Sequence, residues 1–408
     1  MTTAEPIRAS SFLLLLAVAV TGMGQTLVFA ILPSLGRVVG LADIQVGLII
    51  TCSAIAFAVA SPVWGRFSEV LGRRPVIVIG LIGYACGTLL FALAFEAGFR
   101  NWLTGSSLLA VLVMARMAQA LVMAASPPAA AAYMADITRP EQRTRGMARI
   151  GAAHNLGTIA GPALGGSLAA LGLLVPLYAV VLVTTLVAIW VAWRLHESPW
   201  IRSRPTPPRF SLIDALRASL RAYVDQRLLD VLLIGVALFV CFAVVQQTLG
   251  FMYQDRFGLD PVAGAAGVGV AMMLAAVTSL FAQAVVVQRL GWSPRALLKL
   301  AVCSIGGGSL LLLVAPMQLL AALAIALVGL GLGLGMPGVS SAASLRVDAA
   351  EQGAVAGMMS ACPALGYIIG PVLGTGLYQW WPLAPYMLVS ALVVPLALAI
   401  WRLPATGS

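Results

Sequence analysis

Long apolar runs follow one another along nearly the whole chain. They fall near residues 11–33, 44–64, 75–97, 106–130, 148–170, 172–195, 229–252, 262–287, 295–315, 318–343, 353–378 and 383–402. Most have about 20 residues, the length that an α-helix needs to cross a bilayer. With 61% hydrophobic and only 9% charged residues, the chain has too few charged side chains to cover the surface of a soluble domain of this size. The sequence therefore predicts an all-α membrane protein with twelve transmembrane helices.

The basic residues are distributed unevenly between the two ends of these predicted helices. Three of the 24 Lys and Arg residues (Arg37, Arg100 and Arg256) lie on one side, Arg116 lies within the fourth run, and the other twenty lie on the side of the termini. By the positive-inside rule, both termini are predicted to be cytoplasmic. The net charge of +10 is thus a topology signal, and we do not expect nucleic-acid binding.

One long polar segment separates the sixth run from the seventh. It contains RSRPTPPRF and then a short amphipathic stretch, Leu212 to Leu229, that predicts a helix at the membrane interface. The predicted organisation is a six-helix bundle over 1–195, a cytoplasmic linker over 196–228 and a second six-helix bundle over 229–408.

The two predicted bundles resemble each other in sequence. LGTIAGPALGGSL (156–168) matches LGYIIGPVLGTGL (365–377) at eight positions, and LGRRP (71–75) matches LGWSP (290–294). Matches in the same order at several places argue against chance similarity among apolar helices. Two six-helix repeats of one orientation, with a cavity between them, are a known transporter architecture. We therefore expect a pseudo-two-fold axis along the membrane normal.

The loop after the second run carries an acidic residue and two arginines. It reads GRFSEVLGRRP (65–75), in which Glu69 precedes Arg73 and Arg74. An acid near a helix end can hold an arginine across a helix bundle. The loop resembles the loop signature of the major facilitator superfamily, which usually has Asp and then Arg where this chain has Glu69 and Val70. The resemblance implies a conformational role for Glu69 and the two arginines.

The fifth run contains glycines at helical spacing around a proline. Small residues four apart let helix backbones pack closely in lipid, and a proline bends a helix at a moving interface. The pattern resembles the one typical of antiporters and exporters in the same superfamily, which implies a conformational role for its members, Gly157, Gly161, Pro162, Gly165 and Gly166.

Arg116 is the only basic residue deep within an apolar run. Burying it costs ~2.5–3.5 kcal/mol on insertion scales, so it needs a partner or a polar cavity. Helical spacing places Gln119 and Met123 on the same stripe, and this segment resembles the superfamily's fourth-helix motif. The aligned position in the second half is Ala326, so the scaffold does not require a charge there. We expect Arg116 to bind an acidic group of the substrate; the alternative is that it braces helices through backbone carbonyls or Gln25.

Proton carriers are scarce, because every Asp and Glu lies at the end of a run or in a loop. The alternatives are His154 in the fifth run, Glu69 or Asp136 near the cytoplasmic end, or the substrate itself. An imidazole exchanges protons near neutral pH, but a structural hydrogen bond explains His154 equally well.

The resemblance spans the chain and is closest to the twelve-helix drug–proton antiporter branch, which includes multidrug, tetracycline and siderophore exporters. It implies a proton-driven secondary transporter in a bacterial plasma membrane, embedded in lipid as a monomer, without a cofactor or metal. Many cation-exporting relatives place a carboxylate in helix 1 or 4, which this chain lacks. We therefore favour export of a small organic anion or carboxylate-rich metabolite, such as a siderophore, by alternating access. The predicted substrate contacts are Arg116, Gln25, Gln119, Met123, Gln246, Gln247 and Met336.

Three other functions make different demands on the sequence. A broad-specificity multidrug antiporter fits the same resemblance, and a passive uniporter would differ only in lacking proton-driven accumulation. An intramembrane enzyme would need a catalytic set at membrane depth, where this chain offers His154 without a carboxylate. We therefore expect the protein not to be an enzyme.

Overall fold

The computed structural model describes residues 4–138, 143–198, 201, 227–348, 355, 359 and 361–403. Within these ranges the chain is helical and contains no strand. Its long helices are α1 Ala4–Val38, α2 Asp43–Val70, α3 Arg73–Phe99, α4 Gly105–Ile137, α5 Arg143–Ala169, α6 Val175–Arg194, α7 Leu229–Phe257, α8 Pro261–Val287, α9 Pro294–Val314, α10 Gln318–Ser344, α11 Ala361–Trp380 and α12 Ala384–Arg402.

Ten of these helices are long and apolar enough to cross a membrane. The other two, α5 and α11, are the helices that carry the repeated Gly/Pro motif, and α5 also begins with three arginines. The predicted all-α membrane fold is confirmed. Most helices extend beyond the predicted runs, because polar residues at their ends continue the helical hydrogen bonding. The predicted interfacial helix over 212–229 lies, apart from its last residues, outside the described ranges.

α4 consists of two segments, Gly105–Met123 and Ser126–Ile137, joined by a turn at Ala124 and Ala125. Pro127 and Pro128 follow the turn, and a proline cannot donate the backbone hydrogen bond that continues a helix. The predicted run ended at residue 130. The helix continues a further two turns because Pro is tolerated in the first turn of the new segment.

Contacts divide the chain into two compact units. The first comprises Met1–Val28 and Cys52–Ser219, and the second comprises Phe29–Thr51 and Leu220–Ser408. The end of α1 and the start of α2 thus pack within the second unit. The sequence division into 1–195, 196–228 and 229–408 stays a prediction about the repeat.

In the first unit, α5 packs closely against α1 through its motif glycines. A Cβ atom at Gly157 would collide with the Ala19 carbonyl, and one at Gly161 would collide with the Met23 carbonyl. The Thr26 hydroxyl also donates a 3.1 Å hydrogen bond to the backbone of α5. Only glycine permits so close an approach of two helix backbones.

In the second unit, α11 packs against α7 through the glycines that the repeat aligns with those of α5. Gly366 lies against Phe239, Gly370 against Ala243, and Gly374 against Val244. The same motif therefore makes the same type of helix contact in each unit.

A second pair of aligned glycines has a positive φ in both units. Gly72 precedes α3 with a φ of 103°, and Gly291 lies before α9 with a φ of 58°. Positive φ values favour glycine at both positions. The local structure thus agrees with the internal repeat read from the sequence.

Candidate functional site

Arg116 lies on the inner stripe of α4 and is 5% exposed. Its guanidinium donates a hydrogen bond to Oε1 of Gln119, and its Cζ lies 5.6 Å from the centre of the Phe91 ring on α3. Its Nε is buried and has no acceptor among the described residues. The positive charge is therefore held in place while one of its donors is left unused.

Gln119 is oriented by α3. Its Nε2 donates to the Thr88 hydroxyl at 2.5 Å and to the backbone carbonyl of Tyr84 at 3.4 Å. Gly87 allows this contact, since a Cβ there would overlap the Gln119 side chain. With its amide nitrogen committed to α3, Gln119 presents its oxygen to Arg116.

The structure thus places one of the predicted neighbours of Arg116, but not all of them, in contact with it. Gln119 and Met123 are buried on the same helix, whereas Gln25 is half-buried on α1. Among the described residues, the guanidinium donates to Gln119 and not to Gln25. A bracing contact from Arg116 to Gln25 is therefore not what the structure contains.

An arginine of the loop motif between α2 and α3 forms an ion pair with an acid near the end of α4. Nε of Arg73 lies 3.2 Å from Oδ2 of Asp136, and the same guanidinium donates to the Ser68 hydroxyl at 2.7 Å. Glu69 is half-buried and has no ion pair within the described ranges. The guanidinium of Arg74 donates a hydrogen bond to the carbonyl of Ala192, at the end of α6.

The sequence did not single out Glu197, which follows α6. Its Oε1 accepts from the backbone nitrogens of Arg73 at 2.9 Å and Arg74 at 3.3 Å, so a carboxylate caps the positive end of α3. The next residue, Ser198, donates to Asp136 at 2.7 Å. The segment after α6 is thereby tied to the loop motif. The sequence signal that could have identified Glu197 is an acidic residue directly after the sixth apolar run, where it can reach the first residues of another helix.

His154 lies on α5 against Gly22 of α1, where its ring and its carbonyl occupy the space of a missing Cβ. Part of its side chain remains exposed. The two motif residues that accompany the packing glycines, Pro162 and Gly166, lie in the same helix.

In the second unit, two adjacent glutamines of α7 differ in their surroundings. Oε1 of Gln246 accepts a 2.9 Å hydrogen bond from the Tyr367 hydroxyl, and the Tyr367 ring stacks on Phe29 with 5.2 Å between centres. Gln247 is 0% exposed, yet neither of its amide atoms has a partner among the described residues. Met336 is half-buried in the Gly-rich part of α10.

Sequence reasoning also missed a charged cluster at the other ends of the helices. Arg37, at the end of α1, forms ion pairs with Asp43 at 3.1 Å and with Asp255 of α7. Its Cζ lies 4.8 Å from the centre of the Phe251 ring. The Tyr378 hydroxyl on α11 donates to Asp255 at 2.9 Å. Within the second unit, this cluster joins α1 and α2 to α7 and α11.

Comparison with known sequences gives one consistent family. A model of the Major Facilitator Superfamily matches residues 14–362. Multidrug resistance protein 2 of Bacillus subtilis (strain 168) is 25% identical over 377 residues, which cover 90% of this chain and 88% of that protein. The class G tetracycline resistance protein of Vibrio anguillarum is 29% identical over 395 residues, covering 91% of each.

Solved structures of the same fold include a D-xylose–proton symporter, with a TM-score of 0.74, 15% identity and 98% coverage of both chains. The human organic anion transporter MFSD10 (TETRAN) has a TM-score of 0.68 and 20% identity, covering 97% of this chain and 100% of that one. At these identities the likeness establishes the fold.

Proposed function

The chain belongs to the major facilitator superfamily, and we propose that it is a proton-coupled exporter of small organic anions or carboxylate-rich molecules. It is a multi-pass membrane transporter of small molecules and not an enzyme. In our proposal it resides as a monomer in a bacterial plasma membrane, with both termini cytoplasmic and no cofactor. Export proceeds by alternating access and uses the proton gradient.

The proposed substrate class is based on the surroundings of Arg116. Its charge is buried, Gln119 neutralises none of it, and Nε lacks an acceptor among the described residues. A buried cation without a counter-ion is costly, and a guanidinium suits a carboxylate in both charge and geometry. An acidic group of the cargo would supply the missing charge.

A second candidate is broad multidrug efflux. It is favoured by the curated relatives, which are named for multidrug and tetracycline resistance. In that case Arg116 would serve the conformational cycle, and lipophilic cations would be transported as well as anions. The siderophore that the sequence suggested is one member of the carboxylate class, with no more specific support than the others.

The test is transport by purified protein in liposomes whose acidic interior drives uptake by antiport. The probes are 5-carboxyfluorescein, tetracycline and tetraphenylphosphonium, each measured after vesicle lysis at a fixed pH. We expect gradient-dependent uptake of the carboxylate, and a loss of about tenfold or more in Arg116→Lys as well as Arg116→Ala. Lysine keeps the charge but loses the planar set of donors.

The matched control is Arg100→Ala, because Arg100 is exposed at the end of α3 and pairs only with Glu96 of the same helix among the described acids. Uptake of tetraphenylphosphonium alone, unaffected by Arg116→Lys, would favour the multidrug reading instead. Carboxylate uptake that reaches equilibrium without a pH gradient would indicate a uniporter.

The coupling group is proposed on similar grounds. Asp136 already accepts from Arg73 and Ser198, whereas Glu69 has no ion pair among the described residues. Glu69 is therefore our first candidate for a protein-borne proton, with the cargo's own acidic group and His154 as the alternatives.

A further inference from the structure

Tyr84, in the middle of α3, carries a polar group that the proposed site has not yet used. The residue is 0% exposed, and its hydroxyl has no hydrogen-bond partner among the described residues. The hydroxyl lies directly against Gly24 of α1, where any side chain would collide with it. A buried hydroxyl is normally satisfied, so one without a partner is available to donate to a ligand group or a water.

The backbone of Tyr84 belongs to the same hydrogen-bond network as Arg116. The Tyr84 carbonyl accepts from Gln119 and, at 2.8 Å, from the Thr88 hydroxyl, while Gln119 accepts from the guanidinium. Tyr84 and Arg116, which each have a buried donor without an acceptor among the described residues, are therefore linked through Gln119.

Tyr84 and Arg116 complement each other chemically. Gln119 already occupies one terminal nitrogen of the guanidinium, so the arginine has fewer donors to offer a ligand. A carboxylate has two oxygens and accepts several hydrogen bonds. A phenol supplies a further donor and is uncharged, whereas a second positive charge would repel the guanidinium.

We propose that Tyr84 is a substrate-binding residue that, together with Nε of Arg116, donates to an acidic group of the cargo. This inference rests on the proposed function and assigns it a specificity determinant. The hydroxyl favours ligands that offer an oxygen acceptor and contributes nothing to lipophilic cations that lack one. The competing reading is that Tyr84 only fills space between α1 and α3, in which case phenylalanine would serve equally well.

The experiment measures binding to purified, detergent-solubilised protein by fluorescence polarisation. The probes are fluorescein and its methyl ester, which differ in the carboxylate, with tetraphenylphosphonium as a competitor. We expect Tyr84→Phe to weaken fluorescein binding by about tenfold, the usual effect of losing a hydrogen bond to a charged group, and to leave the ester unchanged. The thermal midpoint should stay equal or rise, because the lost hydroxyl had no partner.

The matched control is Tyr386→Phe, which removes the hydroxyl of an equally buried tyrosine in α12 of the second unit. That hydroxyl also has no partner among the described residues. It should leave fluorescein binding unchanged. Wild-type fluorescein affinity in Tyr84→Phe, together with loss of binding in Arg116→Ala, would overturn the role of Tyr84 and leave the proposed function standing. Wild-type protein that binds tetraphenylphosphonium but not fluorescein would overturn the proposed function itself, and the role of Tyr84 with it.

Discussion

Arg37, at the end of α1, holds both carboxylate oxygens of Asp255, at the end of α7. The two distances are 2.5 Å from Nη1 to Oδ1 and 2.8 Å from Nη2 to Oδ2. A two-pronged arginine–carboxylate pair is directional and stronger than a single contact. Close to it, Nε2 of Gln254 donates to the Ser34 hydroxyl at 3.0 Å, and Gly250 packs on Pro33. The end of α1 is thus attached to α7 by one ion-pair cluster and a short polar and apolar contact.

We expect Arg37→Ala to separate the end of α1 from α7 more often. The pair is partly solvated, with 24% and 42% of the two side chains exposed. It should therefore contribute about 1 kcal/mol to the free energy that holds the two helix ends together. In a background without the native cysteines, Ser34→Cys should then react about fivefold faster with a membrane-impermeant maleimide. Ser34 is buried in the present structure. Arg100→Ala is the control, and an unchanged labelling rate in Arg37→Ala would show that the ion pair does not hold this contact.

The adjacent glutamines of α7 should respond in opposite ways to the same substitution. Gln246→Leu removes the acceptor of the Tyr367 hydroxyl and should destabilise the protein by about 1 kcal/mol. Gln247→Leu removes a buried amide without partners and should be neutral or stabilising by a similar amount. Thermal unfolding in detergent measures both. A lower midpoint for Gln247→Leu would mean that its amide is satisfied in the folded protein.

The glycines of α5 allow a test of the close contact with α1. At Gly161 an added methyl group would meet the backbone of Met23 and the hydroxyl of Thr26, so Gly161→Ala should cost about 1–3 kcal/mol. Gly151 lies on the same helix with open space around it, so Gly151→Ala should be neutral or stabilising, since alanine favours helix. Equal midpoints for the two variants would argue against the packing seen at Gly161.

The fold and part of the site could be predicted from local patterns. Apolar length fixes the number of helices, and glycines four residues apart mark where α5 and α11 approach α1 and α7. Arg116 and Gln119 could be paired because helical spacing places them on one face. These features depend on residues a few positions apart, so they can be predicted from the sequence.

The remaining contacts join residues far apart in the chain. Arg37 and Asp255 are separated by 218 positions, and Glu197 caps a helix that begins 124 positions earlier. No periodicity connects such residues, because their meeting depends on how whole helices are arranged. The ion pair between Arg73 and Asp136, which are 63 positions apart, has the same cause.

Proton coupling provides the last prediction. If Glu69 carries the proton, Glu69→Gln should abolish the proton movement that accompanies carboxyfluorescein transport in liposomes while leaving carboxyfluorescein binding intact. Asp136→Asn is the matched amide substitution on a carboxylate engaged by Arg73 and Ser198. It should lower stability by about 1–3 kcal/mol through the loss of a charged hydrogen-bond acceptor, yet retain the ratio of protons to substrate. His154→Gln should also retain it. Loss of pH dependence in His154→Gln, with coupling preserved in Glu69→Gln, would reassign the proton to the histidine. Full coupling in both variants would show that neither Glu69 nor His154 carries the exchanged proton.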